Sequence, residues 1–215
     1  MSESPRPKRT YKSTRRQAQA TQTRRLIVEA ARALFDQRGY ASTTIEAIAQ
    51  EAGVAPETVY AAFGSKQAIL RRLFEVTLVG DDEPVPLLER PDMQANLQST
   101  DPRAMIHRFA QEMFNIMSRM SPIFLLMRTT AKSDPEIAAM LERVYKDRMG
   151  GMGMFVNRLR QIAPVRQDVS PDHVTATVWA ISSAEVFELL VRVQGWPEEQ
   201  YVHWLGDALE RLLLE

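Results

Sequence analysis

Leu, Ile, Val and Phe are absent from residues 1 to 25, and from Leu26 onward apolar positions recur at helical spacing: Ile27, Ala30, Ala31, Leu34 and Phe35. Gly39 stands where a left-handed cap ends such a helix, which the pattern puts at about 15 residues. Thr43 and Glu46 have the spacing of a capping box, and Ile45, Ile48, Ala49 and Ala52 form one stripe before Gly53 stops it. Pro56 then opens a third short helix with Val59, Ala62 and Phe63 facing inward, and Gly64 ends it. Ser65 caps a fourth, whose Ile69, Leu70, Leu73, Phe74 and Leu78 carry the period to about Val79.

Residues 80 to 100 hold three prolines and no clear period, which predicts a linker or ordered loop. Beyond it one start signal repeats: Asp101-Pro102, Ser121-Pro122, Asp134-Pro135 and Ser170-Pro171 each place a capping side chain before a proline, and Trp196-Pro197 is a weaker fifth. These predict helices over 102–119, 122–132, 135–162, 171–192 and 197–214. Nothing alternates like a strand, so the expected fold is all-α with about nine helices. The expected organisation is a basic arm, disordered when alone, over 1–22, a helical domain over 23–80, a linker over 81–100 and a second helical domain over 101–215.

Composition narrows the chemistry. With no cysteine in 215 residues, disulfides, thiolate nucleophiles and Cys-ligated metals are excluded, and three scattered histidines leave little for a metal site. No cofactor is expected. No apolar run approaches a membrane span, and the basic N-terminus is followed by no apolar stretch of a secretion signal, which predicts a cytoplasmic, nucleoid-associated protein with no membrane partner. The net charge of zero conceals a split: residues 1 to 72 carry 13 Lys or Arg against 6 Asp or Glu, and the remainder 14 against 21. A basic third joined to an acidic body suggests a polyanion-binding module attached to something else. Gly-rich phosphate loops, metal-ligand spacings and a nucleophile with its base are all missing, which argues against an enzyme.

Two short helices joined by a Gly-containing turn, the second opening on proline, have the proportions of a helix-turn-helix over residues 44–63. Thr43 and Thr44 at a helix N-terminus, Lys66 just beyond the motif, and Arg24 and Arg25 at the end of the basic arm are candidate phosphate contacts. The string ARALFDQRGYASTTIEAIAQEAGVAPETVYAAFGSKQAIL, residues 31 to 70, resembles the DNA-binding domain of TetR-type transcriptional regulators, with LF, GY, TT, IA, AGV, VY, F and K at that family's spacings. The resemblance implies a phosphate contact at Thr44, a base-facing start of the recognition helix at Pro56, Glu57 and Thr58, a DNA-facing Tyr60 and a backbone contact at Lys66. Glu57 can accept from a cytosine amino group and Thr58 can touch a thymine methyl, although an acid in a first turn also simply suits the helix dipole. The chain departs from the family at Ala61 and Ala62, where an aromatic or His pair commonly holds phosphates. The basic arm is expected to compensate along the backbone or in the minor groove.

Ten of the eleven methionines lie between Met93 and Met154. Flexible, polarizable side chains on facing helices suit either a packed core or an adaptable cavity, and the resemblance favours a cavity. Its expected liners are Phe109, Met113, Met117, Met127, Met140, Phe155 and Trp179, while His107, Arg108 and Arg128 can either orient a polar group or sit in solvated ion pairs. The apolar C-terminal helices, with Val178, Ile181, Phe187 and Leu190, then Trp204, Leu205, Leu209 and Leu212, are the expected two-fold dimer interface. The reading that results is a homodimeric repressor of palindromic double-stranded operator DNA, released by a small apolar or amphipathic effector. A regulator without a ligand and a nonspecific architectural DNA binder remain open alternatives.

Overall fold

A computed structural model describes residues 10–80 and 85–214. Among these residues the chain is helical throughout, with no strand and a single isolated bridge pairing Val165 with Leu214. Two compact units divide the chain between Leu73 and Phe74. That division falls inside a helix rather than in the proline-bearing stretch after residue 80.

The first unit contains α1 (Thr10–Arg38), α2 (Ile45–Glu51), α3 (Pro56–Phe63) and the start of α4 (Lys66–Val79). Its core is the predicted one: Ile27, Leu34, Phe35, Ile48, Val59 and Leu70 are buried, and the Phe35 and Tyr40 rings pack 5.2 Å apart. Helix α1, however, begins at Thr10 rather than near Leu26, so the expected disordered arm is helical from there on, and only residues 1–9 of it lie outside the described residues. Arg, Gln and Ala are good helix formers, and a segment lacking an apolar face can extend a buried helix as a solvated one. Gly53 (φ 66) and Gly64 (φ 76) close α2 and α3 in the left-handed region, where a side chain would strain the backbone.

The second unit holds α5 (Pro91–Leu97), α6 (Pro102–Thr130), α7 (Pro135–Ile162), α8 (Pro171–Ile181), α9 (Ala184–Phe187) and α10 (Glu198–Leu213), with α6 packed against α7, α9 and α10. Three of the cap-proline signals are realised: Asp101, Asp134 and Ser170 each accept a backbone N–H from the first turn they precede. Ser121-Pro122 is the exception, because α6 runs straight through it. The buried row Ile116, Met120, Ile123, Phe124 and Met127 keeps one phase across the site, so breaking the helix would expose it. Pro122 lacks the N–H that would bond the Ser118 carbonyl, and the Arg192 guanidinium donates to that oxygen instead at 3.2 Å. The expected linker also contains structure, a 3₁₀ turn at Leu87–Glu89 and the helix α5, whose Pro91 occupies a first helical position.

The expected helix over 171–192 is broken. Ser182 ends α8, Ser183 caps α9 by accepting from Val186 N–H, and a π-helical turn follows over Glu188–Val193. Pro171–Val193 as a whole is long and apolar enough by length and composition to cross a membrane, which the run-length argument overlooked, but it is interrupted by these serines and carries Glu185, Glu188 and Arg192.

Candidate nucleic-acid interface and ligand cavity

Helix α3 is held by Val59, fully buried, and presents Glu57, Thr58, Tyr60 and Ala61 on its opposite side. Tyr60 is 49% exposed, so its ring and hydroxyl are accessible on this side of the helix. Pro56 is half-buried at the first helical position, and Thr58 N–H bonds the Ala55 carbonyl, which fixes the turn leading into the helix. Thr44, exposed, is the N-cap of α2, and its hydroxyl accepts from Ala47 N–H at 3.1 Å. The cap is thus Thr44 and not Thr43, and because the third residue after it is Ala47, the expected capping box with Glu46 does not form.

Two expected phosphate contacts are instead internal. Thr43 is buried, and its hydroxyl donates to the carbonyls of Gly39 (2.8 Å) and Leu34 (3.3 Å), closing the corner after α1. Lys66 turns inward: its ammonium donates to the carbonyls of Tyr40 and Thr43, both at 2.7 Å, and sits 4.2 Å from the centre of the Tyr40 ring. A charged donor over two carbonyls and a ring face is a brace for the α1–α2 corner. Arg24 and Arg25 keep their exposure but have local partners, Arg24 through the Ala62 carbonyl (3.2 Å) and the Phe63 ring, Arg25 through Glu29 (2.8 Å).

In the second unit a cavity of about 250 Å³ opens among α5, α6, α7 and the end of α4. Of the expected liners, Phe109, Met113 and Phe155 are in its wall, and the Phe109 and Phe155 rings stack 4.2 Å apart. Met117, Met127 and Met140 are buried in the packed core instead, and Trp179 packs edge-on against Tyr145. They follow the same helical stripes as the liners, and the sequence pattern does not separate a core methionine from a cavity one. His107 pairs with Glu210 at 2.9 Å and Arg128 with Glu185, so neither faces the cavity.

The polar part of the wall is Asn96, Asp147 and Arg148, none of which the sequence reading singled out. Arg148 donates to the carbonyl (2.6 Å) and hydroxyl (3.0 Å) of Ser182 and lies over the Trp179 ring, while its Nε is buried without a partner. Burial pulls its guanidinium down to about 10, against the opposing pull of Glu185. Asn96 is 4% exposed with its Oδ1 unpartnered. A signal for Arg148 existed: it falls in phase with Val144, Gly151, Met152 and Phe155, a charge inside an apolar stripe.

The expected dimer residues divide. Val178, Phe187, Leu205 and Leu209 are fully buried within the unit and unavailable to a partner, Ile181, Leu190 and Trp204 are half-buried, and Leu212 is exposed. The most exposed apolar side chains are Leu189 (60%) and Val193 (67%), which the helical period did not select. Both lie in the π-helical turn Glu188–Val193.

A short proline-opened helix, anchored by one apolar side and bearing an exposed polar and aromatic side, defines a helix-turn-helix protein; the second unit adds an all-helical body with an apolar cavity. Residues 27–73 match the model of the bacterial regulatory proteins of the tetR family. The chain is 27% identical over 166 residues to the HTH-type transcriptional regulator UidR of Escherichia coli K12, covering 74% of this chain and 76% of that one. Its fold is similar to a TetR-family transcriptional regulator from Rhodococcus sp. (TM-score 0.67, 15% identity, 90% and 99% of the two chains) and to a transcriptional regulator from Saccharomonospora viridis in complex with choline (0.69, 20%, 91% and 99%). It is also similar to SmeT in its triclosan complex (0.63, 18%, 90% and 92%). The chain thus matches the tetR-family model in its first unit and is similar over most of its length to a transcriptional regulator and in fold to TetR-family structures.

Proposed function

We propose that the protein is a cytoplasmic, homodimeric repressor that reads a palindromic operator and leaves it when a small apolar or amphipathic effector enters the second unit. The observation that carries the DNA-reading part is the outward face of α3. With Val59 as its anchor, Glu57, Thr58 and Tyr60 are the side chains free to meet base edges, and Thr44 stands at the start of α2 for a phosphate. Dimerisation is supported by the apolar surface of Leu189 and Val193 and by the Pro171–Val193 segment, only 33% of whose apolar window is buried. One recognition helix spans only a few base pairs, and a two-fold pair about 34 Å apart would read two half-sites.

Release follows from linkage. A ligand preferring the conformation that DNA disfavours weakens DNA binding by the same factor that DNA weakens the ligand, typically about 1–3 kcal/mol. Helix α4, Lys66–Val79, is the covalent element shared by both units, and its Phe74 and Leu78 line the cavity. Choline and triclosan in two structural relatives make an effector a reasonable expectation for this chain.

The test is fluorescence anisotropy on DNA from just upstream of the protein's own gene, with excess competitor DNA and a salt series. Competitor-resistant binding at two protomers per site, lost in Tyr60→Ala or Thr58→Ala, is the expected result. Binding abolished by competitor and set only by salt overturns it in favour of an architectural binder.

A further inference from the structure

We infer that Glu57 makes the operator carry a cytosine at one fixed position of each half-site, its carboxylate accepting from the cytosine amino group and turning away guanine and thymine. The inference rests on the operator reading above and names the residue that sets part of the operator's sequence. It is carried by where Glu57 stands on α3, by what surrounds it and by the chemistry of base edges.

Helix α3 advances about 100° per residue. Val59, fully buried, marks its inward direction; Glu57 and Ala61 each lie about 160° around the helix from it, whereas Thr58 and Tyr60 lie about 100° to either side. Glu57 and Ala61 therefore form the crest of the outward face, the part of a recognition helix that goes deepest into a major groove. All four side chains of that face are exposed. Ala61 has only a methyl group to offer, so the hydrogen-bonding capacity at the crest belongs to Glu57.

The carboxylate is not engaged inside the protein. Glu57 is the one charged residue in the α3 sequence PETVYAAF, and the positions one helical turn on, Tyr60 and Ala61, carry no cation to pair with it. Among the described residues its side chain forms no ion pair or hydrogen bond, in contrast to Thr43, Lys66, Arg24 and Arg25, whose polar groups are held within the unit.

An acid at this crest faces a polyanion. A carboxylate accepts hydrogen bonds and donates none, so in a desolvated groove it is tolerated only opposite a donor, and an acceptor there leaves two buried groups unbonded. On their major-groove edges guanine offers N7 and O6 and thymine O4, all acceptors; adenine offers its N6 donor beside the acceptor N7; cytosine offers the N4 donor alone. Cytosine is thus the base that meets Glu57 without an opposing acceptor, and guanine and thymine are excluded by the bonds they leave unmade. A first-turn acid also suits the helix dipole, and Ala55 gives α3 no side-chain cap, but that role acts on every DNA sequence alike.

The test is selection of bound sequences from a randomised DNA pool by the full chain, followed by anisotropy on the selected operator, for the parent, Glu57→Gln and Glu57→Ala. The parent is expected to select a cytosine at symmetry-related positions of the two half-sites, and exchanging it for guanine or thymine should weaken binding at least about fivefold. Glu57→Gln should move that position to adenine, whose N6 and N7 match a side-chain amide, and Glu57→Ala should leave it without preference, while the other positions of the motif stay as they were. Glu57 is exposed, so both exchanges leave the packing of the unit intact.

A parent motif without such a cytosine, or the same motif selected by both variants, overturns the inference and leaves the operator reading standing. So does a uniform loss of affinity with the motif intact, which is the result the dipole role gives. A parent that enriches no motif at all overturns the operator reading and the inference with it.

Discussion

Replacing Lys66 by Met separates two roles that the same residue could have. Met keeps the apolar stem and removes the ammonium that bonds the Tyr40 and Thr43 carbonyls at 2.7 Å each and rests on the Tyr40 ring. A hydrogen bond from a charged donor contributes about 1.5–3 kcal/mol, and an accessible cation over a ring about 0.5–1 kcal/mol. The Tyr40 carbonyl keeps a second donor, Thr43 N–H at 3.3 Å, and the site is half-buried, so the lower end of each range applies. We expect a loss of about 2–4 kcal/mol from the first unit, or roughly 10 °C or more in its melting temperature at the scale of a 60–100-residue domain. The readout can be assigned to one unit, because all three tryptophans, Trp179, Trp196 and Trp204, lie in the second. Hydrogen exchange in α1–α3 should accelerate and the far-ultraviolet helix signal should melt earlier, while the tryptophan fluorescence transition stays in place. The opposite pattern refutes the reasoning. If Lys66→Met leaves exchange unchanged and lowers the salt dependence of DNA binding by about one counterion, the side chain serves a phosphate and not the corner.

Three further outcomes follow from the second unit. Gly206→Ala would put its Cβ 2.4 Å from the His107 ring, displacing the imidazole from its 2.9 Å pairing with Glu210, and should cost about 1–3 kcal/mol in a tryptophan-monitored melt; an unchanged transition would show that the ring moves freely. Glu112 is raised above 4.5 by burial first and Asp92 second, with Arg119 opposing; a raised acid contributes stability below its unfolded pKa that is lost as pH rises through the folded value. Glu112→Gln should therefore match the parent's melting temperature near about pH 4 and exceed it by about pH 7, and a gain that does not depend on pH would contradict this. Leu189→Asp together with Val193→Asp should convert the proposed dimer to a folded monomer in analytical ultracentrifugation, and a persisting dimer would move the interface elsewhere.

The first unit was legible because its signals are local. Gly39, Gly53, Gly64, Pro56 and Ser65 each act within a few residues of themselves, and their positions fixed the turns. What local pattern could not decide was where a long side chain goes. Lys66 reads equally well as a phosphate contact or as a brace, and only the folded distance to Tyr40 and Thr43 distinguishes them. Thr43 and Thr44 are neighbours of the same type, yet one is buried under α1 and the other caps α2.

The second unit shows the same limit at longer range. A proline after a serine marks a helix start at 170–171 and a mid-helix position at 121–122; the difference is the buried row on the far side of α6 together with a guanidinium from residue 192 that satisfies the freed carbonyl. Phe187 and Leu190 were expected at the dimer interface because their helix is apolar and the resemblance implies a two-fold bundle, and apolar character alone does not tell an inward side chain from an outward one: Phe187 is buried, Leu190 half-buried and Leu189 exposed. A cavity was expected from the resemblance, since methionine-rich helices suit a packed core equally well, and the polar side chains of its wall were missed for a related reason. Methionine abundance marks where adaptable apolar surface is concentrated, but it does not say which polar side chains join a cavity wall. Asn96 lay in a stretch read as linker, and Arg148 is a charge in phase with the apolar Val144, Met152 and Phe155 of α7, so the polar residues of the cavity wall are those that depart from the pattern around them.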